Sequence, residues 1–280
     1  MLRQRKGPAF WLLTFFFCLF VLFLYGPTIT IVILSFQGPA GGLTFPMRGL
    51  SMHWFGNLFE KQMVGDFAGS FQRSIALGLA TMVVTVLASF AAGLAFRSRF
   101  RGSTVIFYLA IASLIVPSIL ISLGIGLLFR VLGLDTAWYS SAFGAHLTWT
   151  LPFGLLIMFA VFNRFDRRFE EAARDLGATP WQTVRHVIVP ILLPSLIGVG
   201  LFGFTLSYDE FARSLYTAGT FNTLPLEIYG MTTNVTTPVL YALGTVTTGL
   251  SFLAIALALV SAIILRRRRE RLGSDAGKAA

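Results

Sequence analysis

The chain has 280 residues, of which 55% are hydrophobic and 12% charged, about half the charged share of an ordinary soluble domain, so a water-soluble fold is excluded. The formal net charge is +10, but the basic residues stand as punctuation between apolar runs rather than as a patch, which excludes a nucleic-acid-binding reading. Cys18 is the only cysteine, so no internal disulfide or multi-cysteine metal site can form.

A helix rises 1.5 Å per residue and needs roughly 20 apolar residues to cross the hydrocarbon core. Six uncharged runs meet that length: 9–35, 74–96, 104–129, 141–163, 191–208 and 241–265. They predict an all-α polytopic membrane protein with one transmembrane domain over 9–265, a short segment 1–8 before it and a basic tail 266–280 after it. The first run contains Gly26 and Pro27, which predict a kink in a retained helix. Its cationic approach also suits a cleaved signal peptide, but the run far exceeds the 7 to 15 apolar residues of such a signal.

The loop 36–73 carries turn signals in Gly38-Pro39-Ala40-Gly41-Gly42 and Phe45-Pro46. An amphipathic stretch with Trp54, Phe55, Leu58 and Phe59 follows, read as a short interfacial helix whose aromatics anchor at the membrane surface. After the second run comes a short connection with Arg97, Arg99 and Arg101. In the fourth run His146 and Trp149 lie about one turn apart, a spacing that serves either interhelical hydrogen bonding or a solute path. Small residues inside the runs, such as Gly124 and Gly126 or Gly198, Gly200 and Gly203, are expected to let helices pack closely.

Lys and Arg collect in short cytoplasmic loops and near span ends. Seventeen of them fall on one side: Arg3, Arg5 and Lys6, Arg97, Arg99 and Arg101, Arg164, Arg167, Arg168, Arg174 and Arg185, and Arg266 to Arg269, Arg271 and Lys278. The other side holds five: Arg48, Lys61, Arg73, Arg130 and Arg213. Both termini are therefore expected in the cytoplasm.

The cytoplasmic loop 164–190 is too long for a turn and is patterned as two short helices. The first is predicted to start with Asp166 as N-cap, to place Glu170 and Glu171 at the positive end of the helix dipole, and to stop at Gly177. Phe169, Ala172, Ala173 and Leu176 form one apolar face, which must dock on something. The second is announced by Thr179-Pro180-Trp181-Gln182, a capping box with Pro at the first helical position, and its expected apolar stripe is Trp181, Val184 and Ile188. Physics alone leaves two readings open, a hairpin resting on lipid headgroups or a partner-docking element.

Glu171-Ala172-Ala173-x-x-x-Gly177, followed after nine residues by Val187-x-Val189-Pro190, resembles the EAA signature of ABC importer permeases, with Val where that family prefers Ile and Leu. The resemblance extends through Val116-Pro117, His146-Leu147-Thr148-Trp149, Ser207-Tyr208-Asp209-Glu210-Phe211 and Thr223-Leu224-Pro225-Leu226, which look like the second permease of spermidine/putrescine-type systems. It implies a type I importer fold in a bacterial inner membrane, with two ABC ATPase subunits, a second permease or a second copy, and an extracytoplasmic solute-binding protein as partners. It also implies that Glu171, Ala172, Ala173, Gly177, Thr179, Pro180, Trp181 and Pro190 belong to the ATPase-coupling contact. ATP-Mg is expected on the partner: this chain has no Gly-x-x-x-x-Gly-Lys-Ser/Thr loop, and its only lysines are Lys6, Lys61 and Lys278. No cofactor or metal is expected on the chain itself.

Asp209, Glu210 and Glu227 follow the fifth run, where three carboxylates suit a cationic solute such as a polyamine. The competing reading is that they cap a helix end or pair with Arg213. The resemblance also covers importers of ferric iron, phosphonates or opines, so the solute stays open at this point. An ion-gradient transporter is the rival class, but no carboxylate sits mid-run. A membrane enzyme lacks a reactive cluster, since His53, His146 and His186 have no metal-ligand spacing.

Overall fold

The computed structural model describes residues 7–59, 65–98, 100–234 and 237–253, with 256 and 260. Arg3, Arg5, Lys6, Lys61, Arg99 and the basic tail, all counted above for topology, lie outside the described residues. Among the described residues every regular element is helical, and the only strand-like pairings are the isolated bridges Gln37 with Leu50 and Ala137 with Gly219.

Helix α1 covers Pro8–Leu34, α2 His53–Gly56, α3 Phe67–Phe96, α4 Ser103–Ala112, α5 Ser118–Val131 and α6 Phe143–Asn163. Helix α7 is Arg168–Asp175, α8 Pro180–Thr183, α9 Val189–Tyr208, α10 Leu224–Asn234 and α11 Val239–Leu253. Four helical stretches are long and apolar enough to cross a membrane: Pro8–Leu34, Phe67–Phe96, Trp138–Asn163 and Pro180–Tyr208. They contain the runs expected at 9–35, 74–96, 141–163 and 191–208 almost whole. The run 241–265 coincides with α11 as far as Leu253, and most of the remainder lies outside the described residues.

The run 104–129 is not one helix. It divides into α4 and α5 across Ser113–Pro117, with Pro117 in an extended conformation as the N-cap of α5. Pro lacks an N–H and disfavours helical geometry in the residue before it, so an uncharged apolar run with an internal Pro breaks where hydropathy alone sees continuity. Pro27 has no such effect, and α1 runs through it.

The fold divides into two compact units. One joins the described residues up to Phe67 with Gly230–Leu253. Within it α1 exposes nearly all its side chains, Leu34 alone being buried, as a lipid-facing helix does. Gln37 organises the loop after α1, accepting from the Arg48 N–H at 2.7 Å and donating to Gly42 O at 3.1 Å, and the Tyr241 hydroxyl donates to Leu43 O at 2.7 Å. Trp54 and Leu58 are buried, so the expected membrane-anchoring Trp54 does not face outward.

The other unit is Ala68–Tyr229. Its core joins Met158 and Phe162 of α6 to Leu192, Leu196 and Val199 of α9 and Ile188 just before it, with Val86, Phe90 and Leu94 of α3 packed alongside. In a bilayer the drive for this packing is close van der Waals contact rather than water exclusion. Small residues supply it: a Cβ on Gly200 would meet Val86 at 3.2 Å and Met82 at 3.3 Å, and one on Gly203 would meet Thr85 at 3.4 Å. Gly124 and Gly198, by contrast, face open space.

Candidate functional site

Asp166 Oδ1 accepts from the Arg168 N–H at 3.0 Å just ahead of α7, whose N-cap is Arg167 rather than the expected Asp166, and Glu170 and Glu171 stand in its first turn. At the other end the Gly177 N–H donates to Arg174 O at 2.8 Å and the Ala178 N–H to Ala173 O at 3.0 Å. That pair is the Schellman closure, which needs a left-handed residue, and Gly177 supplies φ of 82°. The chain thus turns sharply between α7 and α8.

Thr179 caps the next helix as its sequence announces. Its Oγ1 accepts from the Gln182 N–H at 3.3 Å while Gln182 Oε1 accepts from the Thr179 N–H at 2.8 Å, with Pro180 at the first helical position. Such a cap stabilises a helix start by about 1 kcal/mol. This helix does not stop short of the fifth run. It widens to a π turn over Val184–Ile188 and continues as α9 to Tyr208. The widened turn lies one turn ahead of Pro190, whose ring would clash with the carbonyl four residues earlier, and the wider winding relieves that contact. It also changes the register between Trp181, which is exposed, and Ile188, which is buried, so these two do not share the stripe expected of them.

The faces of α7 lie opposite to the usual arrangement. Its charged face turns toward the protein: Glu170 forms an ion pair with Arg97, both side chains 14% exposed. The Arg97 guanidinium lies 5.2 Å from the Phe162 ring centroid and 5.3 Å from that of Phe165, and Arg167 donates to Arg97 O at 3.2 Å. Glu171, Arg174 and Thr183 line the same cleft. The apolar side chains point away, with Phe169 53%, Leu176 89% and Trp181 69% exposed. Glu171 and Ala172 are exposed, and Ala173 and Pro190 are half-buried. Phe169, Leu176 and Trp181 are thus large apolar side chains that the chain itself leaves uncovered. No spacing rule links Arg97 to Glu170, so this pair is not legible in the sequence.

The three acidic residues beyond α9 do not share one set of partners. Asp209 is exposed at the helix end. Glu210 is buried; its Oε1 accepts from the Arg213 backbone N–H at 2.8 Å and its Oε2 lies 3.5 Å from Arg213 Nη1. Glu227, in the first turn of α10, accepts from Asn222 Nδ2 at 2.9 Å. His146 is fully buried, 2.8 Å from Ser207 Oγ and 2.9 Å from Ser214 Oγ, an interhelical hydrogen-bonding role. Trp149 lies under Arg213 at 4.7 Å. No group of three or more potential metal ligands occurs among the described residues.

Comparison with known proteins agrees with this layout. Residues 84–270 match the family described as binding-protein-dependent transport system inner membrane component. The spermidine/putrescine transport system permease protein PotC of Haemophilus influenzae is 31% identical over 246 residues, covering 88% of this chain and 93% of that protein. The putrescine transport system permease protein PotI of Escherichia coli K12 is 30% identical over 234 residues, covering 81% of this chain and 82% of the other. Among solved structures, a chain of a bacterial ABC transporter involved in import of the acidic polysaccharide alginate superposes with a TM-score of 0.62 at 18% identity, covering 97% of this chain and 99% of its own. A chain of the MetNI methionine ABC transporter in an inward-facing conformation gives 0.53 at 20% identity, covering 70% and 95%. At these identities the structures speak to the fold alone.

Proposed function

Because the chain belongs to the family of binding-protein-dependent transport system inner membrane components, we propose that it is one permease subunit of an ATP-driven ABC importer whose cargo is a polyamine. It works in a bacterial inner membrane with six membrane segments, counting α4 and α5 as the two halves of one, and with both termini in the cytoplasm. Two ATPase subunits bind ATP-Mg, a second permease or second copy completes the pathway, and a binding protein delivers the solute from outside.

The single observation that carries the ATPase reading is the outward apolar face of Phe169, Leu176 and Trp181. Such a face is unfavourable in water and is positioned by Gly177, the Thr179 capping box and the Glu170 to Arg97 pair. Movement at a docked ATPase would pass from α7 through Glu170 and Arg97 to α3, and through the unbroken α8 to α9 run into the membrane. Glu171, Ala172, Ala173, Gly177, Thr179, Pro180, Trp181 and Pro190 form or shape that contact.

The polyamine reading rests on the likeness to PotC and PotI and not on the acidic residues, since Glu210 is already paired with Arg213. Asp209, exposed at the end of α9, and Glu227, which accepts from Asn222, are the carboxylates proposed to meet a cation on the pathway. Uptake into proteoliposomes, with polyamines, ferric chelates and phosphonates as competitors, tests the cargo. Polyamine-selective competition is the expected outcome, and competition by a phosphonate or ferric chelate alone would overturn it.

A further inference from the structure

Segment 209–223 does not run out over the surface. Glu210, Arg213, Ser214, Thr217 and Ala218 are buried, and the chain is folded in successive turns. It packs on α5, the second half of the divided 104–129 run. Ser122 Oγ donates to Arg213 O at 2.9 Å and accepts from the Tyr216 N–H at 2.9 Å, and a Cβ on Gly126 would meet Tyr216 O at 2.6 Å. Ser141 Oγ donates to Thr217 O at 2.6 Å.

The Arg213 side chain ties these parts together. Nη1 donates to Ser118 Oγ, the first residue of α5, at 2.6 Å, and Nε donates to Thr148 Oγ1 of α6 at 3.2 Å. The guanidinium is 1% exposed, so a full charge is held inside the packed helices, where it needs these hydroxyl partners and Glu210.

The first half of the run is held quite differently. No residue of α4 is buried, and a cavity of about 390 Å³ lies beside it, lined by Ala88 and Ala92 of α3, Ile106 and Ala110 of α4, and Leu147 and Leu151 of α6. The two halves meet at Thr148: Ser113 Oγ, at the start of the break, donates to Thr148 O at 2.7 Å, while Arg213 engages the Thr148 hydroxyl.

We propose that Arg213 is a positioning residue of the transport cycle: it fixes α5 to α6 and to segment 209–223, so that movement within the divided membrane segment is confined to α4. Helix α4 turns about Ser113–Pro117 into the adjoining cavity while α5 keeps its place. This inference rests on the permease reading above.

The test uses the assembled transporter in lipid nanodiscs, in a Cys18→Ala background, with paired spin labels measured with and without trapped ATP. One pair, Val105→Cys with Asn163→Cys, reports α4 against α6. The other, Gly124→Cys with Gly144→Cys, reports α5 against α6 at two exposed positions whose added Cβ meets no atom within 4 Å. The expected result is a nucleotide-dependent distance change in the α4 pair and none in the α5 pair. Ser118→Ala with Thr148→Val, which removes the guanidinium's hydroxyl partners but leaves Glu210 paired, should spread the change to the α5 pair. Both pairs changing together in the unsubstituted protein, or neither changing, would overturn the proposal, and that arm decides it even where the double variant fails to assemble. Recovery of the chain without any ATPase would instead count against the permease reading, before any distance is measured.

Discussion

Arg97, in the turn that closes α3, forms an ion pair with Glu170 in the first turn of α7, and its guanidinium lies over the rings of Phe162 and Phe165. The loop that carries the apolar docking face is thereby joined to a membrane-spanning helix by a mostly desolvated contact.

Breaking that pair should uncouple rather than unfold. Arg97→Ala or Glu170→Gln removes a charge-assisted bond of about 2 kcal/mol, enough to let α7 tilt without melting the bundle. Solute uptake per ATP hydrolysed should fall several-fold with an unchanged circular dichroism spectrum. The exchange Arg97→Glu with Glu170→Arg should recover part of the loss, and no recovery together with unaltered single variants would remove the pair from the coupling route.

Gly177 stands at φ of 82°, where a side chain costs about 1 to 2 kcal/mol. Gly177→Asp should loosen the turn between α7 and α8 and reduce uptake about tenfold or more, in line with a coupling energy of 1 to 3 kcal/mol. Helix content should stay the same. Normal uptake and normal ATPase association in this variant would show that the turn transmits nothing.

The exposed and buried apolar residues of the 164–190 loop predict opposite substitution patterns. Leu176→Asp and Trp181→Asp place charge on an exposed apolar surface and should leave the isolated chain as stable as before while weakening ATPase capture in a pull-down. Ile188→Asp, seven residues beyond Trp181 in the same continuous helical stretch but buried at 2% exposure, should lower yield and thermal midpoint instead. Equal stability loss from all three would mean that the exposed face is packed in the assembled chain.

Among the acidic residues, position decides the expected effect. Glu210→Gln leaves the Arg213 charge buried without its counter-ion and should destabilise by about 3 to 5 kcal/mol, read as loss of folded protein. Asp209→Asn removes an exposed carboxylate and should leave the fold intact while weakening polyamine uptake, read as a raised KM. An unchanged KM for Asp209→Asn with Glu227→Gln would withdraw both from the solute path.

Local chemistry was legible in this sequence wherever a single turn decides the outcome. The Thr179 to Gln182 capping box, the Gly177 stop and the four long apolar helices follow from residue type and spacing within a few positions. What lay beyond the sequence were relations set by tertiary packing. Hydropathy could not see that Pro117 divides one apolar run while Pro27 leaves another whole, because it scores the apolar character of a run and not its backbone geometry. Amphipathicity showed that α7 has two faces but not that the charged one turns inward, since that depends on Arg97 waiting at the end of a distant helix. By residue type and position Glu210 suits either a cation or a pairing with Arg213. The structure shows it held by Arg213.

The central claim is that the face formed by Phe169, Leu176 and Trp181 docks an ABC ATPase. Its most direct measurement is affinity purification of the tagged chain from its native membrane, followed by ATP hydrolysis with and without the co-encoded solute-binding protein. Co-purification of an ATPase whose hydrolysis rises on adding solute-loaded binding protein, lost on Leu176→Asp with Trp181→Asp, is the predicted result. Recovery of the folded chain with no ATPase, or with one indifferent to both substitutions, would contradict it.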